Sequence, residues 1–257
     1  MTQFNGKVLI NCDMGEAYGN YACGPDDDIL PLIDIANVAC GFHAGDPCIM
    51  AKTVAQCKIH GVKVGAHPGL PDIQGFGRRE MQLTPEEHTA NMVYQIGALQ
   101  AFLDREQLAM HHVKPHGVLY GMMARNVDVA RAVWAGVPKG MRVFGLAGTP
   151  METAALEAGL EFWAEYYADV KYRADGSLVT GRRRDTWGME DVRAHLRLQL
   201  ERGQVTAVDT GEVVALPSVK DYPVSVCCHS DSPGCLDIIR TARGVVDEVN
   251  KAVTGSS

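Results

Sequence analysis

Seven short apolar runs recur along the chain: Lys7–Cys12, Ile35–Cys40, Val62–Ala66, Met110–Lys114, Arg142–Leu146, Glu161–Tyr167 and Val224–Cys228. They are rich in Val, Ile, Leu and aromatic residues and mostly lack alternation, the pattern of strands covered on both faces. The segments between them carry helical periodicity. Met92, Ile96, Leu99 and Leu103 form one stripe, and Val192, Leu196 and Leu200 another. Helix starts are marked at Asp46-Pro47, Thr84-Pro85, Thr149-Pro150 and Ser232-Pro233. There a side-chain oxygen caps an orphan N–H, and proline occupies a position whose N–H would be unpaired anyway. Thr84 with Glu87 and Thr149 with Glu152 predict capping boxes. Gly61, Gly159 and Gly203 fall where helices should stop.

Strand alternating with helix predicts a parallel sheet. Seven units can be counted, all in one α/β domain read as a β/α barrel over residues 1–250, with a tail at 251–257. The stretch Leu178–Leu216 is the weakest. Val205–Val208 and Val213–Leu216 predict a hairpin around Asp209-Thr210-Gly211.

The apolar runs end in residues able to do chemistry, which a β/α barrel would collect at the carboxyl ends of its strands. The first run leads into Asn11-Cys12-Asp13-Met14-Gly15-Glu16, whose two carboxylates suit activation of a water or binding of a divalent metal. The second, Asn37 to Asp46, sets His43 between glycines before a helix start, with Asp46 as the cap. His67 to Asp72 repeats the pattern and runs on to Gly75-Phe76-Gly77-Arg78-Arg79, where a guanidinium fork can hold a carboxylate or phosphate. Lys114 ends an apolar run, where a buried ammonium requires an anionic partner, and His116 follows it. At least one of His111 and His112 should pack in the core. Gly148-Thr149, Glu165, Asp169, His229 and Asp231 complete the set.

Asp13, His43, Lys114 and His116 are therefore the candidate catalytic groups. Asn11, Glu16, Asn37, His67, Asp72, Arg78, Arg79, Asp169, His229 and Asp231 are candidates for holding substrate or phosphate. Asp13, His43, His67 and His116 can also be read as a metal set, although no pair has local zinc-type spacing; a hydrogen-bonding, proton-transferring set is the equal alternative. His60, His88 and His195 read as structural or surface residues.

Composition narrows the class. A formal net charge of -7 argues against a nucleic-acid surface. The basic run Arg182-Arg183-Arg184 is too short to reverse this, and reads as a solvated turn rather than an anion site. No apolar stretch nears the roughly 18 residues needed to span a bilayer, and Met1 to Val8 has no secretory pattern. The 8 cysteines sit mostly inside apolar patterns without C-x-x-C spacing. A reducing cytoplasm is the expected location.

The motifs NCDMGE, ANVACGFHAGDP, GAHPGLPD with GFGRR, YQIGAL, VKPHGVLY, EYYAD with Tyr172 and Asp175-Gly176, and CHSD resemble the LamB/YcsF family, to which the A subunit of bacterial 5-oxoprolinase belongs. The resemblance runs in order from about Leu9 to Asp231. It implies a seven-stranded parallel β/α barrel of the glycoside hydrolase/deacetylase type. It also implies ATP-dependent opening of 5-oxoproline to L-glutamate, with ATP carried as its magnesium complex and two partner subunits, B and C. Three positions depart from the family pattern: Val170 replaces an arginine, Ser230 a glycine and Gly121 an asparagine. No Gly-x-x-x-x-Gly-Lys-Ser/Thr loop is present, so the nucleotide would bind through barrel-end loops or on a partner. Two other functions fit the same residues: a metal-dependent amide hydrolase without ATP, and a ligand-binding scaffold subunit.

Overall fold

The computed structural model describes residues 4–181 and 184–254. Arg182 and Arg183 of the basic run lie outside the described residues. The strands are β1 (Leu9–Met14), β2 (Ile35–Ala39), β3 (Lys63–His67), β4 (Arg142–Gly145), β5 (Glu161–Tyr167), β6 (Gln204–Thr206), β7 (Val213–Ala215) and β8 (Val224–His229). The helices are α1 (Asp26–Ile29), α2 (Pro47–His60), α3 (Pro85–Glu106), α4 (Gly117–Arg125), α5 (Val127–Ala135), α6 (Pro150–Glu157), α7 (Met189–Arg202) and α8 (Cys235–Thr254). Helix α8 thus runs into the segment expected as a tail. No described helix is long and apolar enough to cross a membrane.

Six strands form a curled, wholly parallel sheet in the order β3-β2-β1-β8-β5-β4. The expected hairpin is present as the antiparallel pair β6–β7. The strand expected over Met110–Lys114 is not formed. Only Val113 makes bridges there, in parallel to Ala66 of β3 and to Val143 of β4, so one residue links the two edges of the sheet. Pro115 has no N–H with which to continue the ladder.

Successive strand side chains alternate between the two faces, and here the faces differ in chemistry. Ile10, Cys12, Met14, Ala36, Val38, Val64, Ala66, Val224 and Val226 belong to the large cluster that also holds the buried helix residues. Burying each large aliphatic side chain there contributes roughly 1.5–3 kcal/mol. The alternate residues face inward. Near the amino ends they are apolar, with Ile35, Phe144 and Trp163 packed together against Leu9. One layer on they are polar: Asn37 donates to Asn11 at 2.7 Å, Asn11 to Glu165 at 3.1 Å, and His112 lies 2.7 Å from Asn37 Oδ1. The carboxyl-terminal layer contains Asp13, His67, Lys114, Tyr167, Cys227 and His229. Register produces this layer, because Asp13 sits opposite Asn37 on one side and His229 on the other.

Helix starts follow the local code at three of four expected places. Asp46 accepts from the N–H groups of Cys48 and Ile49, Thr84 closes a capping box with Glu87, and Thr149 accepts from Met151. The capping box expected at Thr149 does not close. Glu152 instead accepts from Gly148 N–H at 2.7 Å and from the Tyr222 hydroxyl at 2.6 Å. Ser232 does not cap a helix with its side chain; its hydroxyl donates to Asp169, and α8 begins at Cys235.

Candidate active site

At the carboxyl ends of the sheet, Asp13, Glu16, His43, His67, Lys114, His116 and Glu165 are each at most 4% exposed. Water is thus largely excluded from seven groups that prefer it, and their mutual contacts must compensate. Lys114 Nζ lies 3.0 Å from Asp13 Oδ1, 3.1 Å from Glu165 Oε1, 3.3 Å from Asn11 Oδ1 and 2.9 Å from Cys227 Sγ. Burial acts to lower its pKa, but Asp13, Cys227 and Glu165 outweigh burial and hold the ammonium well above its ordinary value. Asp13 shows the mirror effect. Burial acts to raise it, yet the charges of His67 and Lys114 keep its carboxyl well below the usual range. Asn37 donates to the same Oδ1 at 2.7 Å. Its other oxygen, Oδ2, lies 3.2 Å from His67 Nε2 and 3.7 Å from His229 Nε2.

His229 is in turn oriented by Asp169, whose Oδ1 is 2.7 Å from His229 Nδ1. Burial opposes ionisation of Asp169, but the adjacent His229 brings it down to about 2. Glu16 makes a second set of buried contacts. Its Oε1 is 3.3 Å from His43 Nε2 and 3.6 Å from His116 Nδ1, and its Oε2 accepts from Ser230 at 3.5 Å. Burial, then the charges of Asp13 and Asp231, push Glu16 well above the usual range against the influence of Arg78. Burial, then neighbouring histidines, hold His43 and His116 well below their ordinary value. Their rings stack at 3.6 Å, within 3° of parallel, and His67 stands edge-on to both.

Glycines make this packing feasible. A Cβ on Gly69 would come within 2.6 Å of His43 Nδ1, and one on Gly77 within 2.7 Å of His43 Cβ and 2.8 Å of His116 Cδ2. Gly65 leaves the space filled by the His112 ring, which a Cβ would meet at 2.1 Å. Gly65, Gly69 and Gly77 of the GAHPGLPD and GFGRR motifs therefore serve close approach to imidazoles, whereas Gly75 makes room for the Asp72–Arg79 pair.

Two described groups bring metal-competent atoms within 4.8 Å of one another: Glu16, His43, His67 and His116, and Asp13, Cys227 and His229. A pocket of about 40 Å³ is lined by Asp13, His67, Lys114, His116, Val170, Arg184 and His229 among others. It borders a cavity of about 780 Å³, with Tyr120, Leu178 and Thr180 lining both. The larger space falls within the roughly 300–1,000 Å³ of small-molecule sites, and the smaller does not.

The comparisons with known proteins bear on what these residues serve. The profile of the LamB/YcsF family matches residues 8–256. The chain belongs to the LamB/YcsF family. It is 65% identical over 251 residues to the lactam utilization protein lamB of Emericella nidulans, covering 98% of both chains. It is 42% identical over 253 residues to the A subunit of 5-oxoprolinase from Thermus thermophilus, covering 96% of this chain and 98% of that one. The crystal structure of the lactam utilization protein from the same bacterium superposes with a TM-score of 0.83 at 40% identity, over 94% of this chain and 96% of that chain.

Most of the residues expected to act together do meet. Asn11, Asp13, Glu16, Asn37, His43, His67, Lys114, His116, Asp169 and His229 all join the buried network described above. Asp72 and Arg79 pair with each other, and Asp72 also accepts from Gly75 N–H at 2.9 Å, so they brace the 72–79 loop. Arg78 donates to Asp231 at 2.6 Å and lies 5.0 Å over the Phe76 ring. Arg184 was not singled out from the basic run, which reads as a solvated turn. Arg184 reaches Asp231 at 3.4 Å and lines the small pocket together with Val170. Tyr167, which donates to Glu165 at 2.8 Å, was also not singled out, nor was Ser225. The three positions expected to depart from the family pattern fall at the site: Val170 lines the small pocket, Gly121 the large cavity, and Ser230 touches Glu16. Among the remaining histidines, His60 is exposed, His88 buried and His195 partly buried.

Proposed function

We propose that this chain opens the cyclic amide of 5-oxoproline, or of a related lactam, as the A subunit of an ATP-coupled cytoplasmic enzyme completed by subunits B and C. The observation that carries this reading is the buried Asp13 carboxylate, kept ionised by Lys114 and set between His67 and His229, in a chain whose relatives are named for lactams and 5-oxoproline. The single bridges at Val113 support a seven-stranded barrel in which this residue stands for the missing strand.

An unstrained lactam is a resonance-stabilised amide, so its carbonyl oxygen must be activated before water adds. In the proposed sequence the γ-phosphoryl group of ATP, bound with Mg²⁺, moves to that oxygen and ADP leaves. Asp13, or an imidazole beside it, accepts a proton from the water that attacks the ring carbon. The C–N bond then breaks and the nitrogen takes up a proton, leaving γ-glutamyl phosphate, and a second water cleaves this acyl phosphate to release glutamate and inorganic phosphate. Lys114 is already matched by Asp13 and Glu165, so its part is to keep Asp13 ionised. Arg184 and Arg78 are the cations placed to stabilise phosphoryl charge. The large cavity bordered by Tyr120, Leu178 and Thr180 supplies the room for substrate.

The test is to purify the chain alone and together with its genomic-neighbour subunits, and to assay 5-oxoproline and other lactams with and without ATP. Glutamate formed in step with phosphate, only by the assembled complex, is the expected result. Failure of every lactam would overturn the reading. The clustering of Glu16, His67 and His116 favours one alternative, an ATP-independent amide hydrolase. ATP-independent turnover by the chain alone would select it.

A further inference from the structure

Two imidazoles in the site have their proton positions fixed by their neighbours. His67 Nδ1 lies 2.7 Å from the carbonyl oxygen of Lys114, and His116 Nε2 lies 2.8 Å from that of Phe76. A carbonyl only accepts, so each of these nitrogens carries a hydrogen. The other nitrogens, His67 Nε2 and His116 Nδ1, then present lone pairs to each other at 2.9 Å. Asp13 Oδ2 lies 3.2 Å from the first and Glu16 Oε1 3.6 Å from the second. With both rings neutral, four electron-pair donors thus converge in a buried space; in the metal-free chain a proton on His67 supplies the charge that holds the Asp13 carboxyl down. One added proton relieves a single contact; a multivalent cation relieves several at once.

We infer that Glu16 Oε1, His67 Nε2 and His116 Nδ1 bind a divalent transition-metal ion, with Zn²⁺ as the best match. Bonds of 2.0–2.1 Å in a tetrahedral site put ligand atoms roughly 3.3 Å apart, and the two spacings above, 2.9 Å and 3.6 Å, bracket that distance. Two imidazoles and one carboxylate leave a fourth position open, as hydrolytic zinc sites do, and nitrogen ligands favour such ions over Mg²⁺. The carbonyls behind His67 and His116 are the outer hydrogen-bond partners that fix a ligating imidazole's tautomer. His43 belongs to this outer set. Its ring is parallel to that of His116 at 3.6 Å, so an ion in the plane of His116 lies out of the plane of the His43 lone pairs. His43 positions Glu16, 3.3 Å away, and Asp13 Oδ2 lies 3.2 Å from the ligand atom His67 Nε2.

The inference is independent of ATP and of which lactam is opened, so binding is tested apart from turnover. The full chain is stripped with chelator, then titrated calorimetrically with Zn²⁺ and, separately, with Co²⁺ while visible spectra are recorded. One equivalent per chain, a raised melting temperature and the intense visible bands of low-coordinate Co²⁺ are expected. His116→Ala and Glu16→Gln should each lose the saturable site, and His43→Ala should keep one equivalent with affinity lowered roughly 10–100-fold. His60→Ala, on the exposed end of α2, should bind as the parent does. Binding below a tenth of an equivalent, or retention of the site in both His116→Ala and Glu16→Gln, would overturn the inference. Should a ligand variant fail to fold, the parent titration decides alone. Metal binding without lactam turnover would sink the proposed substrate while leaving the metal site standing.

Discussion

Replacing Lys114 with Met keeps the side-chain volume and removes the charge, and its cost follows from the contacts. The ammonium lies 3.0 Å from one carboxylate oxygen and 3.1 Å from another, at 3% exposure. At an effective dielectric constant of about 20, each pair is worth about 5 kcal/mol of attraction. Desolvation of the ammonium offsets much of that. What the substitution leaves is Asp13 and Glu165 buried near each other with no cation between them. Breaking a buried pair in this way costs about 3–5 kcal/mol. Urea unfolding at pH 7 should show that loss as a lower midpoint with an unchanged slope. Adding Glu165→Gln should recover part of it, because one uncompensated charge is removed. An unchanged midpoint in the single variant, or no recovery in the double variant, would refute the electrostatic account of the network.

Acid should destabilise the protein through its buried histidines. Burial brings His195 down to about 4, and its Nε2 donates to the Val170 carbonyl at 3.1 Å. The unfolded chain binds a proton here below about pH 6.5 while the folded chain does not, so stability falls as pH drops from about 6.5 to 4. The contribution is at most about 3 kcal/mol; melting temperatures across that window check it, and His195→Gln should flatten the slope. Gly65→Ala drives a methyl into the space of the His112 ring, and should destabilise the fold by roughly 1–3 kcal/mol in the same urea assay. An unperturbed Gly65→Ala protein would show that the 2.1 Å approach is not a constraint.

Much of the fold could be read from the chain because its signals are local. Asp46 and Thr84 cap helices, and the stripe from Met92 to Leu103 is buried, since capping and periodicity act over a few residues. Two errors arise where a distant partner competes. Glu152 turns to Tyr222 and Ser232 to Asp169, whereas over Met110–Lys114 the cause is local, since Pro115 has no N–H to extend the ladder beyond the single bridges of Val113. The candidate site was half legible. Polar residues ending apolar runs identified Asp13, His67 and Lys114, but no spacing rule connects Asn11 to Ser225 or Arg184 to Asp231, whose partners lie far along the chain. Asp72 and Arg79 illustrate the converse, because two charges suited to a ligand here hold one another.

Asp13→Asn in the assembled complex is the most direct test of the central claim. The change is nearly isosteric, and the amide can still accept from Lys114 and Asn37 while losing the negative charge. Single-turnover assays of 5-oxoproline opening should show a loss of at least about 100-fold, the scale of one general base, with the complex still intact. Turnover within twofold of the parent would mean that this pocket does not carry the chemistry, and would leave the chain as a scaffold for a partner's active site.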